Sequence, residues 1–252
     1  MRVVAFDTRG SGCSDRPNRV SDYRLEQLAE DIGAVIVACT PRAPVHLVGH
    51  DWGSVKAWHA AAEPGLQQRI VSLTSISGPC LDAVPLWFGE CLRKGLSGWR
   101  AIAGMWKSPI YMGVFQVPVV RTLLCRSGIV DLAIRAAERA ETGNRPSDLP
   151  RWRARDNWHS VLIYRANLVP HLLHPTPRRA VVPVQVLAPQ RDLFVSVASQ
   201  TAVPAAVASD VQYQLLDGGH WAPVFDPAQI ADRISTFVTT HTTKSDKEDS
   251  TS

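Results

Sequence analysis

The sequence predicts an α/β protein: a mostly parallel sheet flanked by helices and interrupted by one inserted helical cap. Three observations predict it. Apolar runs of strand length alternate with segments whose apolar residues recur at helical spacing. The pentapeptide Gly49-His50-Asp51-Trp52-Gly53 joins one such run, Val45 to Val48, to a helix-like segment beginning Ser54-Val55-Lys56-Ala57. About a hundred residues, Cys80 to Arg179, separate two of the runs, which is too long for an ordinary crossover and forms the cap. At 252 residues and 45% hydrophobic, the chain can bury one full core without a second fold.

Taken in order, Arg2 to Phe6 reads as a short strand and Asp7 to Ser14 as a Gly-rich turn. A dinucleotide-binding loop is excluded there because Asp15 stands where the third glycine would allow close helix packing. Leu25, Leu28, Ile32, Val35 and Ile36 then mark a helix with Ser21 as its N-cap. The pentapeptide follows, then a strand from Ile70 to Ile76 ending in Ser77-Gly78-Pro79. After the cap come strands Val182 to Leu187 and Val211 to Leu216 and a helix from Ala228 to Val238. The polar, charged tail from Thr239 to Ser252 is expected to be disordered. Residues 1–79 and 180–238 thus make the core, 80–179 the cap and 239–252 the tail.

Composition narrows the function classes. A net charge of +4 is only mildly basic, and the Arg-rich run from Arg151 to Arg165 carries its aromatic residues in a helical pattern, so no nucleic-acid partner is expected. Cys13, Cys39, Cys80, Cys91 and Cys125 are scattered and odd in number, and read as reduced thiols of a cytoplasmic protein. No apolar run approaches the roughly 18 residues of a membrane span, and no signal peptide is evident. His46 with His50, and His171 with His174, lack further ligands nearby, so neither a metal nor another cofactor is expected.

The pentapeptide has the form of a nucleophile elbow, in which flanking glycines let a strand turn sharply into a helix and expose the central side chain. That side chain is Asp51. A carboxylate suits attack on an electrophilic sp3 carbon to give an ester, whereas serine would suit acyl transfer. Hydrolysing the ester needs a base, and the base needs a partner to fix its tautomer. His220, in Asp217-Gly218-Gly219-His220-Trp221, follows one strand, and Asp192, in Pro189-Gln190-Arg191-Asp192, follows the preceding one. The ester's oxyanion requires backbone donors, one being the N–H of Trp52.

With Asp7-Thr8-Arg9-Gly10-Ser11-Gly12, His50-Asp51-Trp52-Gly53, Ser77-Gly78-Pro79 and His220-Trp221 in place, the chain resembles the epoxide hydrolase branch of the α/β-hydrolase family from Met1 to about Val238. It also looks like the hydrolase half of actinobacterial proteins that continue into a short-chain dehydrogenase domain. The resemblance implies two cap tyrosines that donate to the epoxide oxygen. Tyr164, before Arg165, matches one, and Tyr111, four residues before Phe115-Gln116, matches the other. It further implies ring opening to a vicinal diol, with Trp52, Trp106 and Phe115 among the residues around an apolar substrate.

In that family a His-Gly-x-Pro loop supplies a second oxyanion donor, and the strand before it lies between those matching Arg2 to Phe6 and Val45 to Val48. Neither occurs here, so the chain is expected to be N-terminally incomplete by several tens of residues. Haloalkane dehalogenases share the Asp-Trp-Gly elbow and are the first alternative, with the Trp52 indole binding halide. A catalytically impaired chain that binds apolar ligands is the second. Oligomeric state and the particular epoxide are open.

Overall fold

The computed structural model describes residues 2–105, 116, 118–143, 158–201 and 207–249. Four strands, β1 (Val45–His50), β2 (Ile70–Ile76), β3 (Val184–Pro189) and β4 (Val211–Leu216), form one sheet in the order β1-β2-β3-β4. Every pairing is parallel, with His50 opposite Ile76, Ile76 opposite Leu187, and Pro189 opposite Leu216. This register brings the chain segments after all four strands to the same sheet edge. Helices α1 (Leu25–Cys39) and α2 (Trp52–Ala62) pack against each other, and α2 packs on β1 and β2. Between β2 and β3 the described elements are all helical: α3 (Ala83–Arg93), α4 (Leu96–Met105), α5 (Pro118–Ser127), α6 (Ile129–Thr142) and α7 (Leu162–Leu173). The short α8 (Val197–Thr201) and α9 (Ala222–Phe225) and the long α10 (Pro227–Asp249) complete the order. No helix among the described residues is long and apolar enough to cross a membrane.

The core lies between α2 and the sheet. Leu73, Val184 and Val186 from the strands and Trp58, Ala60 and Ala61 from α2 are almost fully buried, and removing this apolar surface from water is the main stabilising term. Three buried side chains near the elbow share one polar cluster. The Trp58 indole N–H donates to Ser75 Oγ at 3.0 Å, Ser54 Oγ meets Ser75 Oγ at 2.7 Å, and both hydroxyls reach the Gly78 carbonyl. The Arg9 guanidinium holds Asp31 of α1 through two bonds of 2.6 Å and donates to the Asp22 carbonyl at 2.7 Å, which fixes the Gly-rich turn to that helix.

Several local expectations are corrected. Arg2 to Phe6 is not a strand, and Val3, Val4 and Phe6 are exposed. An apolar run becomes a strand only when a neighbour accepts its backbone hydrogen bonds, and β1, the edge strand, does not pair with it. Ser21 is not the cap of α1, because Val20–Tyr23 forms a 3-10 turn and the helix begins at Leu25. Its first amide is satisfied from far along the chain: the Leu25 N–H donates to Asn167 Oδ1 of α7 at 2.9 Å, while Asn167 Nδ2 donates to the Tyr23 and Ile163 carbonyls. β3 runs two residues later than expected at each end. The last helix also continues past Val238. Thr239 and Thr242 return their hydroxyls to carbonyls four residues back, and Thr242 Oγ1 lies 3.0 Å from His46 Nε2 of β1. That contact anchors a polar stretch that composition alone assigns to disorder.

A buried Asp–His pair ties α7 to the loop before α3. His171 Nδ1 donates to Asp82 Oδ1 at 2.7 Å, and the same oxygen accepts the Thr176 N–H at 3.1 Å. The His59 ring of α2 stands edge-on to His171 with centroids 6.2 Å apart. Burial works against the Asp82 carboxylate, but the bond from His171 and that ring's charge outweigh it and hold Asp82 below its ordinary pKa.

Candidate active site

Asp51 sits between the last residue of β1 and the first of α2 with φ 53° and ψ −125°, a conformation that L residues rarely adopt. The surroundings fix it. Its N–H donates to the Ile76 carbonyl at 3.0 Å, and its carbonyl accepts Ser54 N–H at 2.9 Å and Val55 N–H at 3.1 Å. Two glycines make the turn sterically possible. A Cβ on Gly49 would stand 2.5 Å from the Gly53 carbonyl oxygen, and one on Gly78 would stand 2.3 Å from the Asp51 carbonyl oxygen. A Cβ on Gly53 would meet nothing within 4 Å, so that position is open space beside the elbow rather than a steric necessity. Trp52 opens α2, and its N–H is among the amides that a helix start leaves without an intrahelical acceptor.

The loops after β3 and β4 meet at the same edge. Gln190 N–H donates to the Leu216 carbonyl at 3.0 Å and Arg191 N–H to the Gly218 carbonyl at 2.9 Å, so the two loops are laced by backbone. Asp192 turns inward, with a side chain only 1% exposed. Its Oδ1 accepts the Phe194 and Val195 amides at 2.8 and 2.9 Å, and its Oδ2 accepts from His220 Nδ1 at 3.2 Å. With Nδ1 carrying the proton, Nε2 is the basic nitrogen. The imidazole is packed among the rings of His50, Phe194 and Trp221, with centroids 4.8, 4.9 and 5.3 Å away. His50 Nε2 donates to the His220 carbonyl at 2.8 Å, tying the residue before Asp51 to the histidine loop.

The electrostatics favour a charged pair. Burial disfavours the His220 imidazolium, but the bond to Asp192 and the carboxylates of Asp51, Asp192 and Glu141 outweigh it, and its pKa is raised above 6.5. Burial likewise opposes the Asp192 carboxylate, yet the hydrogen bond and charge of His220 and two backbone amides hold its pKa below 3.8. His50 behaves oppositely: burial and the neighbouring His220 charge lower its pKa, which keeps it neutral beside the pair. Lys56, one turn further along α2, is pushed down to about 8 by burial although Asp51 and Asp31 oppose this, and its ammonium donates to Thr8 Oγ1 at 2.7 Å.

Of the residues singled out in the sequence, Asp51, Trp52, Asp192 and His220 converge at this edge. Tyr164, on α7, joins them through Trp52, the two rings meeting edge-to-face with centroids 4.8 Å apart. Tyr111, Trp106 and Phe115 lie outside the described residues. His46 and His50 point their nitrogens at separate partners, Ser72 and Thr242 for the first and the His220 carbonyl for the second. Among the described residues no group of three or more metal-ligating side chains forms. Sequence reading missed His50, Phe194 and Glu141. His50 adjoins the nucleophile position and carried some signal, whereas Glu141 sits in a run of helix-forming residues, Ala136 to Thr142, that reads as a solvated face.

The sheet, the strained carboxylate elbow and the acid–histidine pair in this chain order define the α/β-hydrolase class. The α/β-hydrolase-fold family model matches residues 1–99. The chain has the α/β-hydrolase fold. It is 34% identical over 254 aligned positions to "Probable oxidoreductase EphD" of Mycobacterium tuberculosis, covering 94% of this chain and 41% of that protein. It is 27% identical over 159 positions to "Epoxide hydrolase 1" of Caenorhabditis elegans, covering 60% of this chain and 36% of that one. The chain therefore spans about two fifths of the length of these curated relatives. In fold it is similar to the Bacillus megaterium epoxide hydrolase solved in complex with an inhibitor, with a TM-score of 0.68, 21% identity, and coverage of 92% of this chain and 82% of that one.

Proposed function

We propose that this chain opens an apolar epoxide to a vicinal diol through an alkyl ester on Asp51. The observation that carries the reading is the joining, at one sheet edge, of a carboxylate elbow with the Asp192–His220 pair. One Asp51 oxygen attacks the less hindered ring carbon as the C–O bond breaks, and the departing oxygen takes a proton from a tyrosine hydroxyl, with Tyr164 and Tyr111 in that role. His220 Nε2 then takes a proton from water, whose oxygen adds to the ester carbonyl carbon. The Trp52 N–H bonds the resulting oxyanion. Collapse breaks the ester C–O bond as the protonated His220 gives its proton to the departing oxygen, which came from Asp51, to release the diol. The water oxygen stays on the Asp51 carboxyl, whose remaining proton restores the tyrosine. The nearness of Tyr164 to Trp52, with ring centroids 4.8 Å apart, supports an alkoxide-protonating site over a halide site, because a phenol beside the elbow can supply the proton an alkoxide needs.

Helices α3 to α7 serve as the cap over this edge, and the scattered cysteines support a cytoplasmic location. The Trp52 amide serves as one oxyanion donor, and losing one donor of a pair typically costs about 10²- to 10³-fold in rate. A single turnover on an aryl or aliphatic epoxide in oxygen-18 water tests the route. The first-turnover diol is expected to be unlabelled, with the label on Asp51. Labelled first-turnover diol, or halide release from a chloroalkane with no diol from any epoxide, overturns the reading.

A further inference from the structure

We propose that Glu141 is a positioning residue of this site, reaching from α6 to clamp the acid loop and the histidine loop together and setting a third carboxylate, after Asp192 and Asp51, beside His220. The proposal rests on the hydrolytic reading given above. Glu141 Oε1 accepts the Leu193 N–H at 3.1 Å, next to Asp192, and Oε2 accepts the Trp221 N–H at 3.4 Å, next to His220. One side chain thus touches the backbone on the far side of each member of the pair. The approach requires Gly219: a Cβ there would stand 2.2 Å from Glu141 Oε2.

Nothing in α6 itself favours this placement. Glu141 lies in the last turn of the helix, where the carbonyl end of the macrodipole disfavours an anion. Burial and the nearby Asp192 charge also disfavour it, and together they raise the Glu141 pKa despite the two amides. What favours the carboxylate is the pair of amides and the positive charge that His220 acquires on taking a proton from water. Among the described residues, the titratable groups facing His220 are Asp192 from the acid loop, Asp51 from the elbow, His50 from β1 and Glu141 from α6. Glu141 is the only one of these contributed by the helices between β2 and β3, so it couples that helical segment to the orientation of the base.

The test reads His220 directly, without substrate, by NMR titration of imidazole-labelled protein. Glu141→Gln keeps the length and removes the charge, and is expected to lower the His220 pKa by about half a unit to one unit. Glu141→Asp keeps a charge but withdraws it from the amides, and is expected to lower it less. In single-turnover kinetics Glu141→Gln slows ester decay by about tenfold, and slows ester formation less. In the unmodified protein the Leu193 and Trp221 amide shifts should follow one shared acid titration, which needs no variant to fold. An unchanged His220 pKa in folded Glu141→Gln, or amide shifts that titrate separately or not at all, overturns the proposal. Failure of the epoxide reading alone would leave these titrations intact.

Discussion

Two buried histidines in this molecule are each bonded through Nδ1 to an aspartate, and only one of them lies beside the carboxylate elbow. The Asp82–His171 bond is the shorter, 2.7 Å against 3.2 Å for Asp192–His220. Around the first pair lie an amide of Thr176 and the ring of His59, which satisfy it and go no further. Around the second lie a strained carboxylate at the elbow, three rings and a further acid, Glu141. An Asp–His bond by itself therefore locks two elements together, and it becomes a base and its orienter when a reacting group faces the other nitrogen. The first pair joins α7 to the loop before α3, and the second joins two loops at a sheet edge.

Substitutions separate the two pairs. The largest effect is expected from Asp51→Ala, which should lower diol formation by about 10⁴-fold or more, measured as product per turnover. Turnover that survives would move the reaction away from the elbow. Next, His220→Gln should form the ester and fail to hydrolyse it, slowing that step by about 10²- to 10⁴-fold, with the trapped adduct visible as added mass on Asp51. The matched change His171→Gln should leave no adduct. If both variants trapped ester, the distinction between the pairs would collapse.

pH offers a third contrast. A neutral His220 is needed for ester hydrolysis, and the bond to Asp192 with the Asp192 and Glu141 charges still favours the imidazolium once Asp51 is an ester, so that step should fail on the acid side while ester formation continues there. For stability the sign differs by group. The raised pKa of His220 contributes stability that is complete below 6.5 and lost as pH rises through the higher folded value. The depressed pKa values of Asp82 and Asp192 contribute stability that is present above 3.8 and lost as pH falls through their lower folded values. Denaturant midpoints measured across this range should therefore fall at both ends. The smallest effect is expected from His171→Ala, which leaves a buried carboxylate with one amide and should cost about 1–3 kcal/mol in urea unfolding while ester hydrolysis persists.

The parts legible in the sequence were those encoded locally. The elbow announced itself because a carboxylate between glycines after a strand-length apolar run has few other uses, and β2 and β4 were bounded correctly from their apolar residues and turn signals. Asp192 and His220 were legible because each follows its strand directly, so parallel pairing carries them to one edge. What could not be read depends on neighbours distant in the chain. The Leu25 amide is capped by Asn167, Thr242 is held by His46, and Glu141 reaches loops dozens of residues away. The run Arg2 to Phe6 shows the converse, since correct strand composition without a paired neighbour leaves apolar side chains in water.

The backbone at Asp51 has an evolutionary side. A positive φ on a residue with a Cβ costs on the order of 1–3 kcal/mol, and glycine would relieve it. Selection for heat resistance alone, with catalysis unscreened, should therefore drive codon 51 toward glycine, while selection for turnover should restore the acid. A survivor pool sequenced after heating would record that conflict as a loss of aspartate at this one position.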